Sequence, residues 1–212
     1  MPRRIRPTVV TAINRHEALK YEAAATANLI ERASLVVKTF PGVREVLLGY
    51  PTVDYYDSNG ILRQHTFDFS SVSQYGHRVA VSVASDEESE KRLSPLMDLL
   101  NRRGLRGIGG DRTTERLADF ARVWTEKDVS HKQLQVADEI LLSRTEAEPA
   151  DVEKTRSYIN IMRLPVRLSQ ILRYADRPQV RRHSVWRLVD EGYLKVFPVD
   201  IGDIDHITIL RA

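Results

Sequence analysis

The sequence predicts an α/β sandwich around a mixed sheet, followed by a mostly helical segment that closes on two short strands. Three observations point there. Residues 15–39 form a long run rich in alanine, leucine and glutamate. Four short strand-like runs then crowd between residues 46 and 84. After about Glu126 the pattern becomes helical, which divides the chain into a domain over 1–125 and a second over 126–212.

The elements follow in order. Residues 15–39 carry apolar or small residues at Leu19, Ala23, Ala27, Ile30, Ser34 and Val37, a helical spacing that Phe40-Pro41-Gly42 ends. Strands are expected over Val46–Leu48, Val53–Tyr56, Ile61–Phe69 and Val79–Ala84, with Asp57-Ser58-Asn59-Gly60 as the turn of a hairpin. Ser85 with Glu88 reads as a capping box that opens a helix running to about Asn101, and Asp86 and Glu87 suit its positive end. Gly104–Gly110 holds a short strand and a turn but lacks the lysine and hydroxyl residue of a phosphate-binding loop. A helix is expected over Thr114–Trp124.

In the second half, helices are expected over His131–Leu142 and Val152–Met162, with a polar connection at Thr145–Ala150. Pro165–Ala175 follows, then a turn at Asp176-Arg177-Pro178, a helix over Gln179–Glu191 and strands at Leu194–Phe197 and His206–Leu210. Helix, turn, helix and a two-stranded wing is the order of a winged helix-turn-helix.

Composition bounds the function. The chain has 212 residues, 42% hydrophobic and 29% charged, which suits a folded domain with a real core. No apolar run approaches the roughly 20 residues that span a bilayer. The basic N-terminus lacks the apolar stretch of a signal peptide, so a cytoplasmic location is expected. Without cysteine, disulfides, thiolate metal sites and a thiol nucleophile are excluded. The six histidines show no close metal-ligand spacing and are expected at the surface or the core edge.

The net charge of +3 is unevenly spread. Nine bases lie between Lys154 and Arg187 against a single acid, Asp176, so that stretch carries +8 and the rest −5. Eight of the nine are arginine, suited to planar contacts with phosphate, so DNA is the expected partner. The expected DNA contacts are Arg177, Arg181, Arg182, Ser184 and Arg187 around the last helix. They cannot all share one helical face, and Trp186, Leu188 and Val189 are expected to include the core positions.

The first half holds the parts of a phosphodiesterase site in outline. Such a site needs carboxylates to hold Mg²⁺ or Mn²⁺ and a group near the attacking water. Glu31 on the first helix and Asp68 at a strand end are the candidate metal and catalytic acids. The next strand, where an acid-x-lysine would stand, reads Ser82-Val83-Ala84, so the slot exists without its chemistry. Lys91, early in the following helix, is the candidate displaced base, although the capping box explains its acidic neighbours without any site.

The stretch NLIERASLVVKTFPGVREVLLGYPTVDYYDSNGILRQHTFDF, residues 28–69, resembles the N-terminal part of the TnsA family of transposon-end endonucleases. The residues carrying the resemblance are Glu31, Pro41 with Val43, Pro51, Gly60 and Asp68, and it extends over roughly 15–124. It implies an α/β restriction-endonuclease-like domain of the PD-(D/E)xK class with a mixed sheet, followed by a mainly helical, winged-helix-like domain. It also implies Mg²⁺ or Mn²⁺ at Glu31 and Asp68, cleavage of one strand at a transposon end, and a transposase-like protein partner. The departure at Ser82-Val83-Ala84 removes the catalytic lysine, so the reading is a DNA-binding protein with an impaired nuclease site, needing no cofactor. An active Mg-dependent endonuclease and a protein-interaction scaffold without DNA contact are the alternatives.

Overall fold

The computed structural model describes residues 26–106, 116–197, 204 and 207–212. It is α/β with a mixed sheet. The expectations for residues 15–25, for Gly107–Gly110, for Thr114, for the turn over 198–203 and for His206 lie outside the described residues.

Helix α1 is described over residues 26–38, with Leu29, Ala33, Val36 and Val37 buried at helical spacing. Strands β1 (Val43–Leu48), β2 (Thr52–Tyr56), β3 (Leu62–Thr66), β4 (Phe69–Ser73) and β5 (Arg78–Ala84) follow. Strands β2 and β3 pair around the expected turn, where Asp57 Oδ1 accepts from the N–H groups of Asn59 and Ile61, each at 2.9 Å. Gly60 takes φ 74°, the left-handed conformation that favours glycine. The single strand expected over Ile61–Phe69 is two strands broken at Phe67-Asp68. The chain leaves the β2–β3 ribbon there and enters a four-stranded sheet of order β1-β4-β5-β8.

Helix α2 (Glu87–Arg103) starts one residue later than the capping box suggested. Its N-cap is Asp86, whose Oδ1 accepts from Ser89 N at 2.7 Å. A carboxylate there satisfies an orphan N–H and also meets the helix dipole, which a hydroxyl at Ser85 would not.

Strands β6 (Leu105–Arg106), β7 (Arg116–Ala118) and β8 (Phe120–Thr125) come next. The helix expected over Thr114–Trp124 is therefore two strands from residue 116 on. Phe120, Ala121 and Arg122 run exposed, buried, exposed, Trp124 is buried on the opposite face from Ala121, and β8 runs parallel to β5 along its length. Pairing on the sheet overrides a weak helical propensity. As an edge strand β8 is tied down by Asn101 of α2, which donates to Ala121 O at 2.8 Å and accepts from Ala121 N at 2.7 Å. Met97 and Leu100 of α2 share a buried cluster with Val53, Phe67, Ala80, Leu105, Ala118 and Ala121.

The second half contains α3 (His131–Glu146), α4 (Pro149–Ile161), β9 (Val166–Arg167), α5 (Leu168–Leu172), α6 (Pro178–Asp190), β10 (Leu194–Phe197) and β11 (Thr208–Arg211). Strand β11 is central and antiparallel to both neighbours, in the order β10-β11-β9. The two-residue β9 was not expected, because its length carries no readable pattern. Ser130 and Gln133 form the capping box that opens α3. Helix α6 stops at Gly192, φ 72°, where Tyr193 N–H reaches Leu188 O and Gly192 N–H reaches Val189 O. That pair of hydrogen bonds satisfies carbonyls the helix end would leave open. The core here gathers Ile140, Val152, Ile159, Leu168, Ile171, Val185, Trp186, Leu188, Leu194 and Ile209. Trp186 has no exposed surface, and truncating such a residue to alanine costs about 3–5 kcal/mol.

Contacts divide the chain into two compact units. One holds residues 1–34, 46–72 and 76–129; the other holds 35–45, 73–75 and 130–212.

Candidate functional site

Asp68 stands at the break between β3 and β4 and is half-buried. Its backbone extends the sheet: Asp68 N–H donates to Val81 O at 3.0 Å, and Asp68 O accepts from Gly49 N–H at 2.7 Å. Its carboxylate oxygen Oδ2 accepts from Val83 N–H at 2.7 Å. The β4–β5 ladder ends at the Phe69–Val81 pair, so the side chain supplies the acceptor that a longer strand would have supplied from its backbone. Burial holds the Asp68 carboxyl above its ordinary 3.8, and the Val83 hydrogen bond works against that rise.

The acid-x-lysine slot lies on β5. Alternation puts Ser82 and Ala84 on the face shared with Ala80, which belongs to the core under α2. Ser82 and Ala84 are each 1% exposed. Ser82 Oγ lies 2.8 Å from His65 Nε2 on β3. The His65 ring also stands edge-on to Phe67, with centroids 4.8 Å apart. Burial, and after it the positive charge of Arg92, lowers His65 below its ordinary 6.5 and favours the neutral imidazole. The slot is thus closed and filled by a serine–histidine hydrogen bond. Sequence reading placed the six histidines at the surface or the core edge, and His65 is half-buried, but no spacing rule joins a residue of the β2–β3 ribbon to one of β5.

The remaining candidates of the first half are surface groups. Glu31 is exposed on α1. Lys91 Nζ pairs with Glu87 Oε1 at 2.9 Å across one turn of α2, with both side chains more than 70% exposed. Among the described residues no group of three or more histidine, aspartate or glutamate side chains is placed to hold a metal ion. A hard divalent cation needs several oxygen donors. Asp68 Oδ2 accepts from Val83 N–H and the Ser82 hydroxyl is bonded to His65, so among the described residues Asp68 alone supplies fewer oxygen donors than Mg²⁺ or Mn²⁺ needs.

The expected DNA contacts fare differently from one another. Ser184 is fully buried and its Oγ donates to Val180 O at 2.9 Å, so it faces the core and cannot touch DNA. Arg182 is 15% exposed and clamps Glu139 of α3 with a fork of three hydrogen bonds at 2.7–3.0 Å. Arg187 donates to Asp190 Oδ2 and Glu191 Oε1, both at 3.1 Å. Arg182 ties α6 to α3 and Arg187 braces the end of α6, which charge counting along the sequence cannot reveal. Arg181 sits with its guanidinium 4.7 Å above the Tyr158 ring, and Arg177 is 68% exposed with a loose contact to Asp151 at 3.4 Å.

Of the nine bases counted in the sequence, Arg163, Arg167, Arg173 and Arg181 have no acidic partner among the described residues, and the first three are exposed. Among the described residues no helix is long and apolar enough to cross a membrane. Comparison of the chain with protein-family models, with curated proteins and with solved structures finds no match.

Proposed function

We propose that the chain is a DNA-binding protein on a TnsA-like, restriction-endonuclease-like scaffold whose cleavage position is closed, and that its second unit is a winged helix. The order α4, β9, α5, α6, β10, β11 with β11 central supports the winged-helix reading. The observation that carries DNA binding is the set of four arginines left without acids on that unit. Phosphate neutralisation by such side chains drives binding whatever the base sequence. The Ser82–His65 hydrogen bond at the slot where an acid and a lysine would stand supports loss of cleavage.

The test is binding of the full chain to duplex DNA over a salt series, with a cleavage assay in Mn²⁺ alongside. Affinity that falls linearly on a log–log plot, without cleavage, is the expected result. Affinity independent of salt, or none, sinks the DNA reading and leaves a protein-interaction scaffold. Metal-dependent cleavage that disappears in Asp68→Asn overturns the closed-site reading.

A further inference from the structure

A cavity of about 140 Å³ opens between α4 and the start of α6. Its walls include Lys154, Arg177 and Arg181, the carboxylates of Asp151 and Asp176, and Thr155. Three cations against two acids leave a charge of +1. The acids do not hold the cations firmly. Lys154 Nζ and Arg177 Nη2 share one oxygen, Asp151 Oδ1, at 3.7 and 3.4 Å. The Arg182–Glu139 fork in the same unit, by contrast, closes to 2.7 Å. Lys154 and Arg177 are 73% and 68% exposed, whereas Asp151 is 14% exposed. Arg181 rests on an aromatic face instead of a carboxylate, which leaves the edge of its guanidinium open to an anion.

We propose that this cavity seats one phosphodiester group of a nucleic-acid backbone, bound by Lys154, Arg177 and Arg181. Asp151 is then the internal substitute for that anion, holding two of the cations until the phosphate takes them. The inference rests on the DNA reading and adds the place where the backbone is gripped. It also predicts an inversion that a diffuse basic surface would not show: removing the acid strengthens binding. A free phosphate offers the same oxygens, so the test separates the two sources.

The experiment measures the full chain against a random-sequence duplex over a salt series, and titrates inorganic phosphate while following the amide resonances of Thr155 and Val180. The Arg177→Gln/Arg181→Gln variant is expected to bind severalfold more weakly, with the log–log salt slope reduced by about one, since one phosphate contact is lost. Asp151→Asn is expected to bind more tightly than wild type, and Arg182→Gln to keep the wild-type slope. If the double variant keeps both affinity and slope, or Asp151→Asn fails to strengthen binding, this site falls while the DNA reading stands. If wild type binds no DNA yet phosphate shifts those two resonances in a saturable way, the nucleic-acid assignment is overturned along with the DNA reading. If neither ligand binds, both readings fall.

Discussion

At the scale of single residues, two partly buried titratable groups give opposite pH dependences. His65 is lowered, so below 6.5 the unfolded chain takes up a proton more readily than the folded one. Stability from His65 is complete above 6.5 and is lost as pH falls below it. Asp68 is raised, so the folded state holds the proton more tightly, and stability falls as pH rises from 3.8 through the raised value. Urea unfolding of wild type and His65→Gln across mildly acidic pH is expected to show the wild type losing stability toward acid more steeply. Ser82→Ala, which strips His65 of its partner, should cost about 1 kcal/mol. Substitutions at Asp68 separate a structural carboxylate from a metal ligand. Asparagine still offers Val83 an oxygen and avoids a buried charge, so Asp68→Asn should be as stable as wild type or more so at neutral pH. Asp68→Ala should lose about 1–3 kcal/mol by orphaning that N–H.

At the scale of elements, Arg182→Ala leaves Glu139 unpaired at 18% exposure against α6. A loss of about 2 kcal/mol in unfolding free energy, measured by denaturant titration, with an unchanged salt slope for DNA, is expected. Refilling the slot with Ser82→Glu and Ala84→Lys should lower stability without producing a nuclease, because both charges would enter a core where each position is 1% exposed. Elements with strong local signals were legible. The Asp57–Gly60 turn, the α2 start to within one residue, and the existence of α3, α4 and α6 follow from caps, glycines and helical spacing, although α3 runs on to Glu146 and α4 starts at Pro149, which cuts down the connection expected over Thr145–Ala150. Strand β8 was not, because Phe120–Trp124 is short, carries helix-compatible residues, and becomes a strand through its pairing with β5. The site was half legible. Asp68 and the missing acid-x-lysine are in the string of residues itself, but the His65–Ser82 contact spans two sheets. The acids that occupy Arg182 and Arg187 lie on other helices or on later turns, so only the folded chain shows which cations remain open.

At the scale of the whole molecule, the chain passes between its two units five times, at 34/35, 45/46, 72/73, 75/76 and 129/130. A division at 125/126 describes it only coarsely. Even so, every residue of the second unit's buried cluster lies between Ile140 and Ile209. A fragment starting at Ser130 is therefore expected to fold with native-like helical circular dichroism and to keep the salt-dependent DNA affinity. A fragment that stays unfolded would show that residues 35–45 and 73–75 are required for that core.

The hydrogen bond from Val83 to Asp68 shows how a carboxylate can look catalytic for a purely architectural reason. An aspartate that finishes a β-ladder has work to do at a strand break whether or not a metal ever visits it. A search that scores a lone acid at such a break as catalytic will therefore collect structural carboxylates along with working sites.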